Sequence, residues 1–532
     1  MTNPQIHEAD VVVVGLGPAG LLASILLGQK GYKVVGLDRW PTPYPLPRAV
    51  TFDHEIARIL SSLGINPDND PTIDYHDDHY FWINKNKEIL LEVDWKSTAN
   101  DGWRNRYWFS QPELEERLRG IIASLPNVTT LQGYEVDSYV ETSAGVEVSY
   151  HQVRQEGIIT VAVEGGIEGK INARFGIGSD GANSFVRRSI GYEFTDLQFY
   201  YDWIVVDMTP DEMPNYWTAH YQICDPARPT TVVPGGPGRR RWEFMVLPGE
   251  NPQELAKPEN VWPLLEPFGL TPQNSKMDRS VAWRFQGKYL ENWRSAHTML
   301  VGDAAHLMPP FAGEGMCAAF RDVYNLVWRL DLVLKGKSGD ALLTDWSNER
   351  RENAKWYINF SVNLGRVICV TDEAEAAERD AKMIAEYQAT LENGPTDPHA
   401  ALLGDGTWDT TDSNAGIPSI QGTVAYKGRT GRFDEVVGRE WFVLTDANHA
   451  GESLTDAQKA KLAKVGGATL TVGPRGSGAD VIDINGTYSD WFAKKNVSHL
   501  VVRPDYFVAA TAKGANELQA AFDRATVNLV SN

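Results

Sequence analysis

The sequence predicts an α/β protein of several domains: a unit that opens with a βαβ element, a mostly antiparallel sheet, then a smaller α/β unit at the C-terminal end. Three observations carry this reading. A β-branched strand, a glycine turn and a helix open the chain, and the middle is dense in Trp, Tyr and Phe with period-2 alternation. A turn-rich stretch near residue 400 then precedes a tail in which strands and helices alternate again. At 532 residues the chain has material for roughly two to four domains.

Residues 11–14 are four valines, which suit a pleated strand and crowd a helix. Glycines punctuate 15–20, strong helix formers fill 21–29, and a second strand at 33–37 ends on Asp38, completing a βαβ unit. Four prolines within 40–47 bar regular structure. Helical spacing resumes at 55–63, and 80–83 and 89–93 alternate as antiparallel strands. Gln111-Pro112-Glu113-Leu114 opens a helix. Short strands are predicted at 129–132, 136–140, 146–151, 160–164 and 174–178, with more from 199 to 247, broken by turn formers at 225–229 and 234–238. Residues 299–302 read as a buried strand and 316–334 as one long amphipathic helix. Helical patterning continues to 392, with 373–382 a solvated face. Turn formers dominate 393–431, read as a linker or arm. The tail shows strands at 441–444, 481–484 and 499–503, and helices at 455–465 and 516–527.

Composition excludes several classes. Seventy acidic against 50 basic residues leave a net charge of −20, which argues against nucleic acid as a partner because that binding rests on phosphate neutralisation. Cys224, Cys317 and Cys369 are far apart and odd in number, so neither a disulfide framework nor a CxxC zinc or redox site is expected, and no metal is. That usage fits a reducing, cytoplasmic setting. The apolar run 11–28 lacks the basic flank of a secretory signal and is broken by glycines, so neither export nor a membrane span is expected.

Gly15-Leu16-Gly17-Pro18-Ala19-Gly20 is a GxGxxG between strand and helix, so the first unit is expected to be Rossmann-type: Gly15, Gly17 and Gly20 permit the tight turn, the approach of a pyrophosphate and helix-on-strand packing. Asp38, 18 residues after Gly20, is placed to accept hydrogen bonds from ribose hydroxyls. This motif alone does not separate FAD from NAD. Two distant segments add to it. Gly302-Asp303 ends a strand, and Pro310-Phe311-Ala312-Gly313-Glu314-Gly315-Met316 runs into the long helix, offering a carboxylate for a ribityl hydroxyl and a helix N-terminus for an electron-rich ring carbonyl. Gly178-Ser179-Asp180-Gly181, with Arg187 and Arg188, again follows a strand and presents a carboxylate.

With these three ordered motifs the chain resembles the single-component FAD-dependent aromatic hydroxylases. Within them it is most similar to the 3-(3-hydroxyphenyl)propionate and phenol hydroxylase group, through Pro47-Arg48-Ala49-Val50, Gln111-Pro112-Glu113-Leu114, Cys224-Asp225-Pro226-Ala227-Arg228-Pro229 and Arg240-Arg241-Trp242-Glu243-Phe244. The resemblance implies a Rossmann-type FAD-binding domain (1–75, 108–190 and 290–392), a mostly antiparallel substrate domain (76–107 and 191–289), the arm 393–432, and a thioredoxin-like C-terminal domain (433–532) without cysteines. It implies that Gly15, Gly17, Gly20 and Asp38 hold the ADP half of FAD. Arg48 and Gln111 would approach flavin or pyrophosphate, Asp303 the ribityl chain, and Pro310, Gly313, Gly315 and Met316 the isoalloxazine. Asp180 would serve FAD and nicotinamide together. Glu314 and Cys317 depart from the Gln and Asn expected there, and Glu314 either tunes flavin reduction or points outward to solvent.

The reaction so implied uses NADH or NADPH and O₂ to hydroxylate a phenol or phenolic acid through a C4a-hydroperoxyflavin, in a homodimer. The same motifs also fit oxidation of a bulkier polyketide or antibiotic, a Baeyer–Villiger step, a simple reductase, or a flavin-binding protein without turnover. His220 and Tyr221, on a strand of the substrate sheet, are the candidate bases for phenol activation, although a histidine in an aromatic sheet is also an ordinary core residue. Tyr107, Trp217 and Phe311 are candidate apolar walls. One of Arg239, Arg240 and Arg241 is a candidate for a substrate carboxylate.

Overall fold

In a computed structural model, which describes residues 5–75, 78–157, 159–212, 219–394 and 401–530, three large sheets and one small one organise the chain. The opening strand Gln5–Val14 lies between Glu168–Gly178 and Val34–Asp38, parallel to both. A strand covered on both faces has no polar side, which is why its four valines are at most 5% exposed. The strand Val128–Gln132 extends the sheet beyond Val34–Asp38, Thr298–Leu300 joins parallel to Glu168–Gly178, and the hairpin Tyr134–Thr142 with Gly145–Glu156 lies at the other end. Pro18 opens the helix Pro18–Gln29, where its missing N–H costs nothing. That helix packs on this sheet and on the long helix Gly315–Leu334.

The second sheet has eight strands: His306–Leu307, Ser275–Tyr289, Thr195–Pro210, Arg240–Met245, Thr230–Pro234, His220–Ile223, Tyr80–Ile83 and Ile89–Val93. All its pairings are antiparallel except that of His220–Ile223 with Tyr80–Ile83. It stands over the first sheet, and helices Ala341–Ile368 and Glu373–Asn393 pack against its edge.

The C-terminal sheet corrects the expected arm. Thr423–Tyr426 and Arg429–Arg432 form a hairpin that pairs with Val481–Asp483, so residues read as linker belong to the last sheet. The stretch before it is irregular yet packed, with Leu403, Trp408, Ala415 and Ile420 in an apolar cluster. Its turn formers are real, but they end loops that are buried. The sheet continues through Ala468–Gly473, Phe442–Asp446, His499–Val502 and Val508–Ala512, parallel at its centre and antiparallel at the far edge. Helices Asp456–Lys464, Thr487–Lys495 and Ala515–Ala525 flank it. No described helix is long and apolar enough to cross a membrane.

Candidate active site

A cavity of about 350 Å³ runs between the first and second sheets. Its first wall is the glycine turn. Gly15 adopts φ +95°, and a Cβ there would stand 2.4 Å from the Ser179 carbonyl oxygen; one on Gly20 would meet the Gly15 oxygen at 1.8 Å. At Gly17 a Cβ would touch nothing, because Gly17 faces open cavity. The turn is closed by Asp38, whose oxygens accept from the amides of Leu16 at 2.8 Å and Trp40 at 2.9 Å. Part of its acceptor capacity is thus spent on the loop that a nucleotide would touch.

The second wall is the flavin loop expected from sequence. Asp303, Pro310, Phe311, Gly313, Gly315 and Met316 all line the cavity. Asp322 accepts from the Gly302 amide at 3.0 Å and hydrogen-bonds His306 at 2.8 Å, which fixes the turn that presents Asp303. The Asp303 carboxylate itself accepts no hydrogen bond from a described residue and is exposed to the cavity. Helices Gly315–Leu334 and Pro18–Gln29 both begin at the cavity, and neither carries a side-chain N-cap. Two sets of unpaired N–H groups with positive dipole ends therefore meet one slot. A pyrophosphate on one and an electron-rich ring carbonyl on the other, with ribityl hydroxyls at Asp303, are what this donor set fits, so the residues present suit FAD.

Gln111 holds the proline-rich loop: its Oε1 accepts from the amides of Arg48 at 3.0 Å and Ala49 at 2.8 Å. Asp180 departs from expectation. Its oxygens accept from Ser184 Oγ at 2.5 Å and the amides of Phe185 and Val186 at 2.6 and 3.1 Å, and it lines no part of the cavity, although Ser179, Gly181 and Ala182 do. It holds the start of the short helix Phe185–Ser189, whose N-cap is Ser184, and so shapes the loop that faces the cavity. Glu314 is buried, not outward-pointing: it pairs with Arg106 at 3.2 Å and Arg321 at 3.0 Å, and Arg321 also binds Asp53. Burial and the neighbouring Asp53 push the Glu314 carboxyl up, against the pull of the arginines. Donor atoms of Asp53, Glu314 and Cys317 lie within 4.8 Å of one another, but arginines already neutralise both carboxylates.

The third wall is the second sheet. Alternation sends His220 and Gln222 to the cavity and Tyr221 to the opposite face, where it stacks on Phe81, so Tyr221 is not a base in this site. His220 stacks 3.9 Å from Tyr80, and both its ring nitrogens are buried with no hydrogen-bond partner. Burial, with Arg106 and Arg240 nearby, holds it well below the usual imidazole range and so uncharged. It walls the site as an aromatic ring; neither nitrogen is open to a substrate. Tyr107 is also displaced from expectation: fully buried, it donates to Asp68 at 2.6 Å and stacks on Phe52. Trp217 lies outside the described residues. Among the three arginines, Arg239 pairs with Glu113 and Arg240 donates to the Ala219 carbonyl; Arg241 faces the cavity but bonds Asp207 and the carbonyls of Pro47 and Arg48. Sequence reasoning missed Gln222, Thr231 and Glu243, which line the cavity in one row. The signal was Glu243 between Trp242 and Phe244, a carboxylate flanked by two aromatic residues on the strand Arg240–Met245.

The family described as "FAD binding domain" matches residues 8–361, and "HcaD C-terminal domain" matches 416–525. Among curated proteins, the chain is 34% identical over 512 residues to a probable NADH-specific resorcinol 4-hydroxylase of Rhodococcus jostii, covering 96% of this chain and 93% of that one. It is 30% identical over 531 residues to a 3-(3-hydroxy-phenyl)propionate/3-hydroxycinnamic acid hydroxylase of Klebsiella pneumoniae, covering 95% and 92%. Among solved structures, the flavin-dependent monooxygenase PieE with FAD and substrate superposes with a TM-score of 0.76 at 19% identity, covering 98% of this chain and 99% of that one. Aklavinone-11 hydroxylase with FAD and aklavinone gives 0.74 at 21%, with the same coverage. At such identities these two speak for the fold alone.

Proposed function

This chain belongs to the FAD binding domain family of flavoprotein monooxygenases, and from that premise we propose that it hydroxylates a small phenol, consuming O₂, NADH and a proton and releasing water, NAD⁺ and the ring with one further hydroxyl. The observation that carries this is one continuous cavity joining a glycine cradle, two uncapped helix N-termini and Asp303 to an aromatic pocket on the second sheet. Bound FAD supplies hydride acceptance from the nicotinamide and activation of O₂. The protein does the rest. Gly15, Gly17 and Gly20 admit the pyrophosphate to the N-terminus of Pro18–Gln29, and Asp38 holds their turn and takes a ribose hydroxyl. Asp303 accepts from the ribityl chain. Arg48 and Gln111 fix the loop over the cofactor. Pro310, Gly313, Gly315 and Met316 would hold the isoalloxazine, and the first N–H groups of Gly315–Leu334 would favour negative charge beside them. Phe311, Tyr80, His220 and Trp95 wall the substrate side and exclude water.

On this reading residues 1–75, 108–190 and 290–392 hold FAD while 76–107 and 191–289 cover the substrate. We further propose a homodimer, from the family resemblance, and a cytoplasmic setting, from the three scattered cysteines. The two curated relatives are named for phenols, and both match along nearly their full length; PieE and aklavinone-11 hydroxylase share the fold at lower identity. The test is to purify the protein, record its visible spectrum, and follow NADH oxidation and O₂ uptake against resorcinol, phenol and 3-(3-hydroxyphenyl)propionate. Substrate-stimulated oxidation with a product one oxygen heavier is expected. A protein that cannot be loaded with FAD overturns the reading.

A further inference from the structure

We propose that Glu243 is the proton acceptor of this site, its carboxylate taking the proton of the substrate's ring hydroxyl so that the ring is hydroxylated as a phenolate. This rests on the hydroxylase reading above. Strand registers lay the cavity wall out in rows. Gln222 stands opposite Thr231, Thr231 opposite Glu243, Glu243 opposite Val205 and Val205 opposite Val281, and all five line the cavity. Two residues along the same strands to one side lies the charged row of Arg241, Asp207 and Arg279, and to the other the row of Met245, Trp203 and Trp283. Phe311 of the flavin loop packs edge-on against Trp203, with ring centroids 5.6 Å apart. Neighbouring rows of one face are about 7 Å apart, so a phenol ring lying against Phe311 is long enough to carry its hydroxyl to Glu243.

Among the described residues that line the cavity, the side chains able to take a proton at neutral pH are Asp303, His220 and Glu243. Asp303 is committed to the ribityl chain, and neither nitrogen of His220 is open. Glu243 is only 7% exposed and accepts no hydrogen bond from a described residue; its nearest cation, Arg241 Nη1, stands at 3.8 Å, beyond hydrogen-bond reach. Its row neighbours are already satisfied, since Thr231 donates to Gln222 Oε1 at 2.8 Å. A ring hydroxyl is the donor this carboxylate lacks. Burial pushes the Glu243 carboxyl up and Asp207 adds to the rise, while Arg241 and Arg279 pull it back. Tyr80, the other titratable group that feels its charge, is kept protonated by burial. A carboxyl so placed holds a proton more strongly than one in water, which suits a base toward a phenol, and the two arginines leave it able to give the proton up. In the step the hydroxyl O–H bond breaks, a Glu243 Oε–H bond forms, and the electron pair stays on the ring oxygen, enriching the carbons ortho and para to it. Glu243 returns the proton to that oxygen in the product, so the overall stoichiometry is unchanged.

The experiment compares wild type with Glu243→Gln, whose side-chain oxygen still accepts a hydrogen bond but takes no proton. FAD content and the resorcinol Kd, read from perturbation of the flavin spectrum, establish that the site is intact, and that Kd is expected to stay within about tenfold of wild type. Hydroxylated product formed per NADH consumed is expected to fall ~100-fold or more, with hydrogen peroxide in its place. Two readouts separate proton transfer from a structural role. Wild-type product formation declines on the acid side as Glu243 itself takes up a proton, and that limb is absent from the variant. Across resorcinol and its fluorinated analogues, the gap between wild type and variant narrows as the hydroxyl becomes more acidic, because a ring already ionised needs no base. An undiminished product yield in the variant overturns the proposal, as does a gap that stays constant across the series. Should the variant lose FAD, the wild-type profile decides, and a rate with no acid limb sinks the inference. Absence of turnover with every phenol in wild type overturns the hydroxylase reading itself and this inference with it; wild-type turnover that the variant matches overturns the inference alone.

Discussion

At the scale of single residues, the three motif glycines have different tasks, which substitution separates. Gly15 and Gly20 are constrained by the protein itself, since a Cβ at either collides with backbone. Gly17 has φ −72° and ψ −173°, which any residue adopts, and nothing near its missing Cβ. Gly17→Ala is therefore expected to leave the melting temperature of the FAD-free protein unchanged while weakening FAD binding at least ~10-fold, because the methyl enters the space of the pyrophosphate. Gly20→Ala is expected to lower both. Fluorescence melting and FAD titration check the pair. His220 provides a second residue-scale contrast. As an uncharged ring between Tyr80 and Trp95 with no open nitrogen, it is replaceable by Phe. We expect His220→Phe to retain kcat within about threefold; a loss of ~100-fold or more, the contribution of a general base, would restore His220 as the proton acceptor.

At the scale of elements, what was legible in the sequence was what is local. The valine strand, the GxGxxG turn and the loop from Pro310 to Met316 are contiguous, and their residue types are dictated by backbone geometry at the point where they stand. The substrate pocket is a product of register, and register joins strands distant in sequence. Tyr221 and His220 are alike in sequence, but strand pairing sends them to opposite faces, and Glu243 comes to line the cavity only through its register with Thr231 and Val205. The hairpin of residues 423–432 was hidden for a similar reason, since it pairs with the distant Val481–Asp483, while the turn-rich stretch before it is covered by other elements. One such covering contact titrates. His54 opens the helix His54–Ser62, and its Nδ1 lies 2.9 Å from Asp101, whose loop also receives Gln421 from the C-terminal unit. Burial opposes the charge, but Asp101, with Asp53 and Glu55, holds the imidazole at about 9, above its ordinary 6.5. Protonated His54 thus favours the folded state. Its contribution is complete below pH 6.5 and is lost as pH rises through about 9. Melting temperature is expected to fall more steeply across that window in wild type than in His54→Gln, and equal slopes would remove His54 from the account.

At the scale of the molecule, the C-terminal unit is joined to the rest by a buried network of charged side chains. Arg503 binds Asp505 at 2.9 Å and Glu349 at 3.0 Å, Glu349 also takes Arg329 at 2.7 Å, and Trp328 donates to Asp505 at 3.1 Å. The side chains of Arg329, Glu349, Arg503 and Asp505 are at most 2% exposed. A second tie, Arg58 to Asp434, is buried as well. Glu349 lies on the helix Ala341–Ile368, which also packs against the loop Pro310–Ala312 at the cavity. Strain at the interface therefore reaches the cofactor site through one element. Removing Glu349 leaves Arg329 and Arg503, both buried, to share the single carboxylate of Asp505, at a cost of about 3–5 kcal/mol. Glu349→Ala is thus expected to lower the denaturation midpoint while tryptophan fluorescence and FAD release still move together, because the C-terminal sheet and the FAD cradle unfold as one unit. If the C-terminal sheet were a separately stable module, the variant would show an early fluorescence transition with FAD retained to the wild-type midpoint, and the buried network would then be a contact between independent domains.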